Sequence, residues 1–173
     1  SICIKGIEFL LKGYEIFSQN HKRTRLLLVG KGFDTSNKEL IQLINKHSLQ
    51  DKIILLGPRK KPENYYSSFD VFISSSLSEG FPNTLAEAVS SEVMSISTNV
   101  GDSSIINTNK DLLINPSSAE EISQTLIKVY KLSYDQKFIM NTIAKEKLIS
   151  NFSISTLKKN YLKLLDNSLT RSN

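Results

Sequence analysis

The stretch Ser78-Glu79-Gly80-Phe81-Pro82-Asn83-Thr84-Leu85-Ala86-Glu87-Ala88 holds the residues best suited to chemistry. An ionised carboxylate accepts hydrogen bonds from hydroxyls. Glu79 and Glu87 flank a helix start marked by Pro82, with Glu87 more than a turn into the helix. At any helix start the first backbone N–H groups lack helical partners, here those of Phe81, Asn83 and Thr84. They form a ready site for an anion, and Gly80 lets a ligand approach the backbone closely. A sugar nucleotide offers hydroxyls at both ends and a diphosphate between them. Two glutamates separated by one helix start fit that ligand.

The elements that must position this stretch follow from hydrophobic patterning. Asp70-Val71-Phe72-Ile73-Ser74 reads as a buried parallel strand delivering the chain to Glu79. Before it come a helix through Ile7, Leu10, Leu11, Tyr14 and Phe17 and a strand at Arg25-Leu26-Leu27-Leu28-Val29, closed by Gly30-Lys31-Gly32. Ser36 and Glu39 suggest a capping box for a helix reaching His47. A strand at Lys52-Ile53-Ile54-Leu55-Leu56 stops at Gly57-Pro58, and a short helix is expected from Pro62 to Phe69. Further strands are expected from Val93 to Thr98, where serines replace aliphatics, and at Leu112-Leu113-Ile114. Three helices close the chain, starting at Ser117 or Ser118, near Tyr134, and along Ile154, Leu157, Tyr161, Leu164 and Leu165. Alternating strands and helices predict an α/β fold with a doubly wound, Rossmann-like parallel sheet. Ligands of such sheets bind beyond the carboxyl ends of the strands.

Composition excludes several classes. A chain of 173 residues with 39% hydrophobic and 23% charged residues is one globular domain of ordinary size. No apolar run reaches the roughly 18 residues of a membrane span. The start, Ser1-Ile2-Cys3-Ile4-Lys5-Gly6, does not read as a signal peptide. The single cysteine, Cys3, excludes an internal disulfide and suits a cytoplasmic setting. The net charge of +5 comes largely from scattered lysines, with clusters at Arg59-Lys60-Lys61 and at Lys158, Lys159 and Lys163. No basic run is interleaved with aromatics, so nucleic acid is not an expected partner. His21 and His47 have no metal-ligand spacing and no paired carboxylate in the sequence, and are expected at the surface.

The pattern S-x-x-E-G-F-P-N-x-x-x-E-A after an apolar strand resembles the signature of the GT4 family of retaining glycosyltransferases, which have the GT-B architecture. The resemblance covers nearly the whole chain. It implies the C-terminal, donor-binding half of such an enzyme: residues 1–173 as one domain cut from a longer chain, with an N-terminal acceptor domain and a first strand lying upstream. It implies a hexosyltransferase-type enzyme of polysaccharide biosynthesis that transfers sugar from a UDP-, GDP- or ADP-sugar to an acceptor glycan or lipid. No other cofactor and no metal are expected. The isolated chain is expected to bind donor but transfer little, in the cytoplasm or at the inner face of the membrane.

By the same resemblance Glu79 contacts the donor sugar and Glu87 holds the ribose hydroxyls. Lys5, from a Lys-Gly pair at the first helix start, grips the diphosphate, and Glu79 and Lys5 are the catalytic candidates. Gly32 lies near the donor, Pro58 and Arg59 line the base pocket, and Gly80, Phe81, Pro82, Asn83 and Thr84 complete the donor site. The chain departs from the family at Glu92, where a helix-ending glycine is usual, at Met94, where proline is usual, and at Ile105, where glutamate is often found. Losing a glycine after the helix predicts local strain or a shifted helix end. The departures keep open a second reading, a non-catalytic nucleotide-sugar-binding module, and a GT-B sugar-nucleotide epimerase is a third. The loop that leads to Ile105, Asn99-Val100-Gly101-Asp102-Ser103-Ser104, has no clear part in binding.

Overall fold

The structure, a computed structural model, describes residues 5–61 and 63–170. Ser1, Cys3 and Pro62 lie outside the described residues. The elements run α1 (Ile7–Asn20), β1 (Leu26–Val29), α2 (Lys38–Lys46), β2 (Ile53–Gly57), α3 (Glu63–Tyr66), β3 (Val71–Ser74), α4 (Asn83–Ser90), β4 (Met94–Thr98), α5 (Ser103–Ile106), β5 (Leu113–Ile114), α6 (Ala119–Lys131), α7 (Tyr134–Phe152) and α8 (Ile154–Thr170). All the pairings are parallel: β1 with β2, β3 with β4, and β4 with β5. The predicted α/β class and the order of its elements therefore hold. Among the described residues the strands form two sheets, β1-β2 and β3-β4-β5, because β1 and β3 are not hydrogen-bonded to each other.

One apolar core serves both sheets. Leu28 of β1, Met94 and Ile96 of β4 and Ile114 of β5 pack with Leu10, Leu11, Tyr14 and Phe17 of α1, Leu40 of α2, and Ile122 and Val129 of α6. Alternation along β3 sorts its side chains. Val71 and Ile73 join this core, and Phe72 turns to the opposite face, where Leu85 and Val89 of α4, Ile106 of α5 and Leu148 of α7 gather. The sheet that carries the candidate site is thus covered by helices on both faces. β4 is buried at all five positions. Of its two serines, Ser97 leaves its buried hydroxyl without a hydrogen-bond partner, whereas Ser95 is satisfied. Ser95 donates to the Val93 carbonyl, and its own carbonyl accepts from Asn107 Nδ2 at 2.7 Å.

Helix ends follow side-chain chemistry. Ser118 and Ser133 cap α6 and α7, the latter as a full capping box with Gln136. For α2 the cap is Asn37, one residue beyond the expected Ser36. Ser36 is instead engaged by the Asp34 carboxylate. Glu92 shifts nothing. α4 ends in a Schellman arrangement, with Glu92 N–H on the Val89 carbonyl and Val93 N–H on the Ala88 carbonyl. Glu92 itself takes the left-handed φ of 58° that a glycine would adopt freely. The expected strain is present at a normal helix end.

His47 corrects a sequence expectation. It is buried, and its Nδ1 lies 2.7 Å from Glu15 Oε2. The carboxylate comes from α1, far away in sequence, so no local spacing announces the pair. His21 is half-buried and stacks on Phe17 with ring centroids 4.3 Å apart.

Candidate functional site

The site is assembled at the carboxyl ends of β1, β2, β3 and β4. β3 ends at Ser74, and the loop beyond it carries Ser75, Ser76 and Glu79 into α4. The Ser76 hydroxyl is buried and donates to Glu79 Oε1 at 2.7 Å. Its backbone is held from β4, where the buried Thr98 hydroxyl donates to the Ser76 carbonyl at 2.6 Å. The Glu79 carboxylate, itself exposed, is therefore held by a buried hydroxyl whose backbone is fixed from β4.

Gly80 and Phe81 follow on the surface, and Pro82 is buried as the residue preceding α4. Pro82 gives no side-chain cap. Its carbonyl accepts from Leu85 and Ala86, the first helical bonds, so the amides of Asn83 and Thr84 precede them. Asn83 and Thr84 are exposed. The Phe81 ring packs edge-on against Phe152 at the end of α7, with centroids 5.1 Å apart. Glu87 stands on the exposed face of α4, with Oε2 accepting from the Tyr66 phenol at 2.9 Å.

Lys5 joins the same cluster. The Ser75 hydroxyl donates to the Lys5 carbonyl at 2.8 Å, one residue before the serine that holds Glu79. Gly6 makes the approach possible: a Cβ there would lie 2.1 Å from the Ser75 carbonyl oxygen, and its φ is 60°. The Lys5 ammonium sits 5.3 Å from the centre of the Phe33 ring, just past Gly30-Lys31-Gly32. The ends of β1 and β2 are laced together there. Gly30 N–H donates to the Gly57 carbonyl, and Gly57 N–H to the Phe33 carbonyl, both at 2.9 Å. Pro58 and Arg59 continue from β2 as an exposed pair.

The fold thus groups Lys5, the turn at Gly32, Glu79 and the start of α4, and puts Pro58 and Arg59 on the neighbouring strand end. A concavity nearby, lined by Gly6, Phe9, Glu39, Leu43, Lys46 and Leu77, meets the cluster at Gly6 and Leu77. Glu79 and Glu87 stand outside it, on an open surface. Among the described residues no three His, Cys, Asp or Glu side chains gather as a metal cage would require.

Sequence reasoning missed the supports: Ser76, Thr98, Tyr66 and Gly101. Ser76 was legible as the serine of Ser-x-x-Glu. Gly101 acts through its backbone. A Cβ there would fall 2.2 Å from the Gly80 oxygen and 2.4 Å from the Glu79 oxygen, and Asp102 N–H donates to the Gly80 carbonyl at 3.0 Å. The loop at 99–104 braces the Glu79-Gly80 backbone from behind.

A model of the family described as "Glycosyl transferases group 1" matches residues 2–131. This chain belongs to the group 1 glycosyltransferases. An uncharacterized glycosyltransferase of Methanocaldococcus jannaschii is 38% identical over 94 residues, 54% of this chain and 23% of that protein. A component of the phosphatidylinositol N-acetylglucosaminyltransferase of Arabidopsis thaliana is 29% identical over 99 residues, 56% of this chain and 22% of that protein. A crystal structure of a glycosyltransferase from Rickettsia africae superposes with a TM-score of 0.82 at 25% identity, over 96% of this chain and 45% of that one. An Anabaena protein crystallised with UDP superposes at 0.81 with 18% identity, over 95% of this chain and 46% of that one, and shows likeness of fold. This glycosyltransferase domain spans less than half the length of each of these proteins.

Proposed function

We propose that this chain is the nucleotide-sugar-binding half of a retaining group 1 glycosyltransferase. The observation that carries the reading is the pair of exposed carboxylates, Glu79 and Glu87, on either side of an α4 start that lacks a side-chain cap. Each has one oxygen already held by a hydroxyl, which leaves the other for a ligand. In this reading Glu79 orients the donor sugar and Glu87 takes the ribose hydroxyls. The diphosphate lies between them, over the amides at Asn83 and Thr84 and near Lys5. Its departure develops negative charge, which preorganised donors and an ammonium stabilise without reorganising. Lys5 and those amides are the groups of this chain suited to that role. The turn at Gly32 approaches the donor, and Pro58 and Arg59 flank the base.

The donor is a UDP-, GDP- or ADP-sugar, and the acceptor a glycan or lipid met through a further domain. Two relatives support that choice by their names: an O-antigen biosynthesis glycosyltransferase of Escherichia coli and the phosphatidylinositol N-acetylglucosaminyltransferase component, each matched over 56% of this chain. No described helix is long and apolar enough to cross a membrane. A lipid acceptor would bring the longer enzyme to the inner membrane face peripherally. Among the described residues β1 and β3 each keep one unpaired edge, which supports one more element of the reading, a parallel strand between them that leads into α1.

Calorimetric titration with UDP, GDP, ADP and their sugar conjugates tests the donor site. Saturable binding to one nucleotide family is expected. Glu87→Ala is expected to weaken it by about 1.5–3 kcal/mol, the value of hydrogen bonds to a charged group. Failure of both this chain and a longer chain containing it to bind any of these nucleotides would overturn the proposal.

A further inference from the structure

Tyr65 and Tyr66 are adjacent on the four-residue α3 and have opposite fates. Tyr65 is 39% exposed and Tyr66 is 4% exposed. The Tyr66 ring is wedged against Ala88, Val93, Phe69 and Phe72, edge-on to both phenylalanines with centroids 6.3 and 5.9 Å away. Packing on that many sides leaves the ring one orientation. Its hydroxyl is then aimed at the outer face of α4, where it donates to Glu87 Oε2. The backbone of Glu87 is held as well, since its carbonyl accepts from the hydroxyls of Ser90 and Ser91 at 2.8 and 2.9 Å.

We propose that Tyr66 is a positioning residue for Glu87, fixing its carboxylate so that Oε1 meets the vicinal hydroxyls of a ribose. This rests on the donor reading above. A glutamate on an exposed helix face samples several rotamers, and ordering it on binding opposes affinity. A donor held rigidly by the core removes that cost beforehand. A neutral phenol suits the task better than a lysine or arginine. It engages one oxygen, leaves the negative charge in place, and keeps the remaining acceptor capacity for the ligand. The hydrogen bond is part-buried and comes from a residue only 4% exposed, so water competes little from the protein side.

The test compares the nucleoside diphosphate that this chain binds best, among UDP, GDP and ADP, with its 2′,3′-dideoxy analogue, by calorimetry. Tyr66→Phe is expected to weaken the ribonucleotide about tenfold, which corresponds to about 1.4 kcal/mol. The dideoxy analogue is expected to bind unchanged. Tyr65→Phe is expected to alter neither. In a Glu87→Gln background Tyr66→Phe is expected to add no further loss. A partly unfolded Tyr66→Phe protein would weaken both ligands alike, so the ratio of the two affinities still reports positioning at any stability. Equal loss for both ligands, or full additivity with Glu87→Gln, would overturn the assignment while leaving the donor site standing. A chain that binds no nucleoside diphosphate overturns the donor reading, and this assignment with it. If Glu87→Ala leaves the ribose preference intact, Glu87 is misassigned and Tyr66 with it.

Discussion

Single side chains in this domain are tuned mostly by neutral hydroxyls. Glu79 and Glu87 each accept one hydroxyl, from Ser76 and Tyr66, and stay exposed. Among the described residues neither is neutralised by an ion pair, which suits the role proposed for them as acceptors of ligand hydroxyls. Tyr14 shows the opposite use of a phenol. It is 3% exposed in the core beneath α1, its hydroxyl shares a hydrogen with Thr24 at 3.2 Å, and burial pushes its ionisation above the usual tyrosine range. A raised folded value means stability that is complete below the unfolded value, about pH 10, and lost as pH rises through the folded one. The wild-type chain is therefore expected to lose stability above about pH 10 more steeply than Tyr14→Phe. Denaturant melts of both proteins across the alkaline range check this, and parallel curves would remove Tyr14 as the cause.

Among the elements, α4 serves the proposed donor site and ends on a strained residue. It brings Glu87 and the amides of its first turn to the site, and its far end forces Glu92 into the left-handed region. Such a conformation costs a residue with a Cβ roughly 1–2 kcal/mol. α7 offsets part of it: Asn141 Nδ2 donates to the Glu92 carbonyl at 2.7 Å, and Lys145 lies 3.5 Å from the Glu92 carboxylate. The ion pair is partly exposed and is worth at most about 1 kcal/mol. Glu92→Gly keeps the backbone bond from Asn141 and relieves the φ, but loosens the unfolded chain. The expected net effect is a gain of up to about 1 kcal/mol in urea unfolding. A loss would mean that Lys145 and Glu92 are coupled more strongly than an exposed pair. The helix pair α1 and α6 relies on a different device. Gly13 has no room for a Cβ, which would lie 2.7 Å from the Ala119 oxygen and from Ile122.

At the scale of the molecule, two parallel sheets share one core but not one hydrogen-bond ladder. The windings run outward from the break, β1 to β2 on one side and β3 to β4 to β5 on the other. A doubly wound sheet changes direction at such a point, and ligands bind above it. The strand proposed for the gap would pair with β1 and β3 at once. Hydrogen exchange can test this. Edge amides of Leu27 and Ile73 are expected to exchange faster in this chain than in a longer one that carries residues upstream of Ser1. Identical exchange in the two would dismiss the strand.

Much of this was legible in the residues themselves. The strand-to-helix passage from Asp70 to Ala88 pointed to the candidate ligand site, because parallel strands, helix starts and carboxylates each leave a local signature. The order of strands and helices followed from apolar periodicity, which depends only on neighbours along the chain. The family resemblance added roles for Lys5, Glu79 and Glu87. What the tertiary structure alone decided were the contacts between distant segments. Tyr66 reaches Glu87, Thr98 holds Ser76, Gly101 seats against Glu79, and Glu15 finds His47. None of these pairs shares a helical or strand spacing that a local pattern could reveal. They form because packing of the sheets and helices brings buried donors and acceptors together, and a buried polar group must find whichever partner the fold supplies.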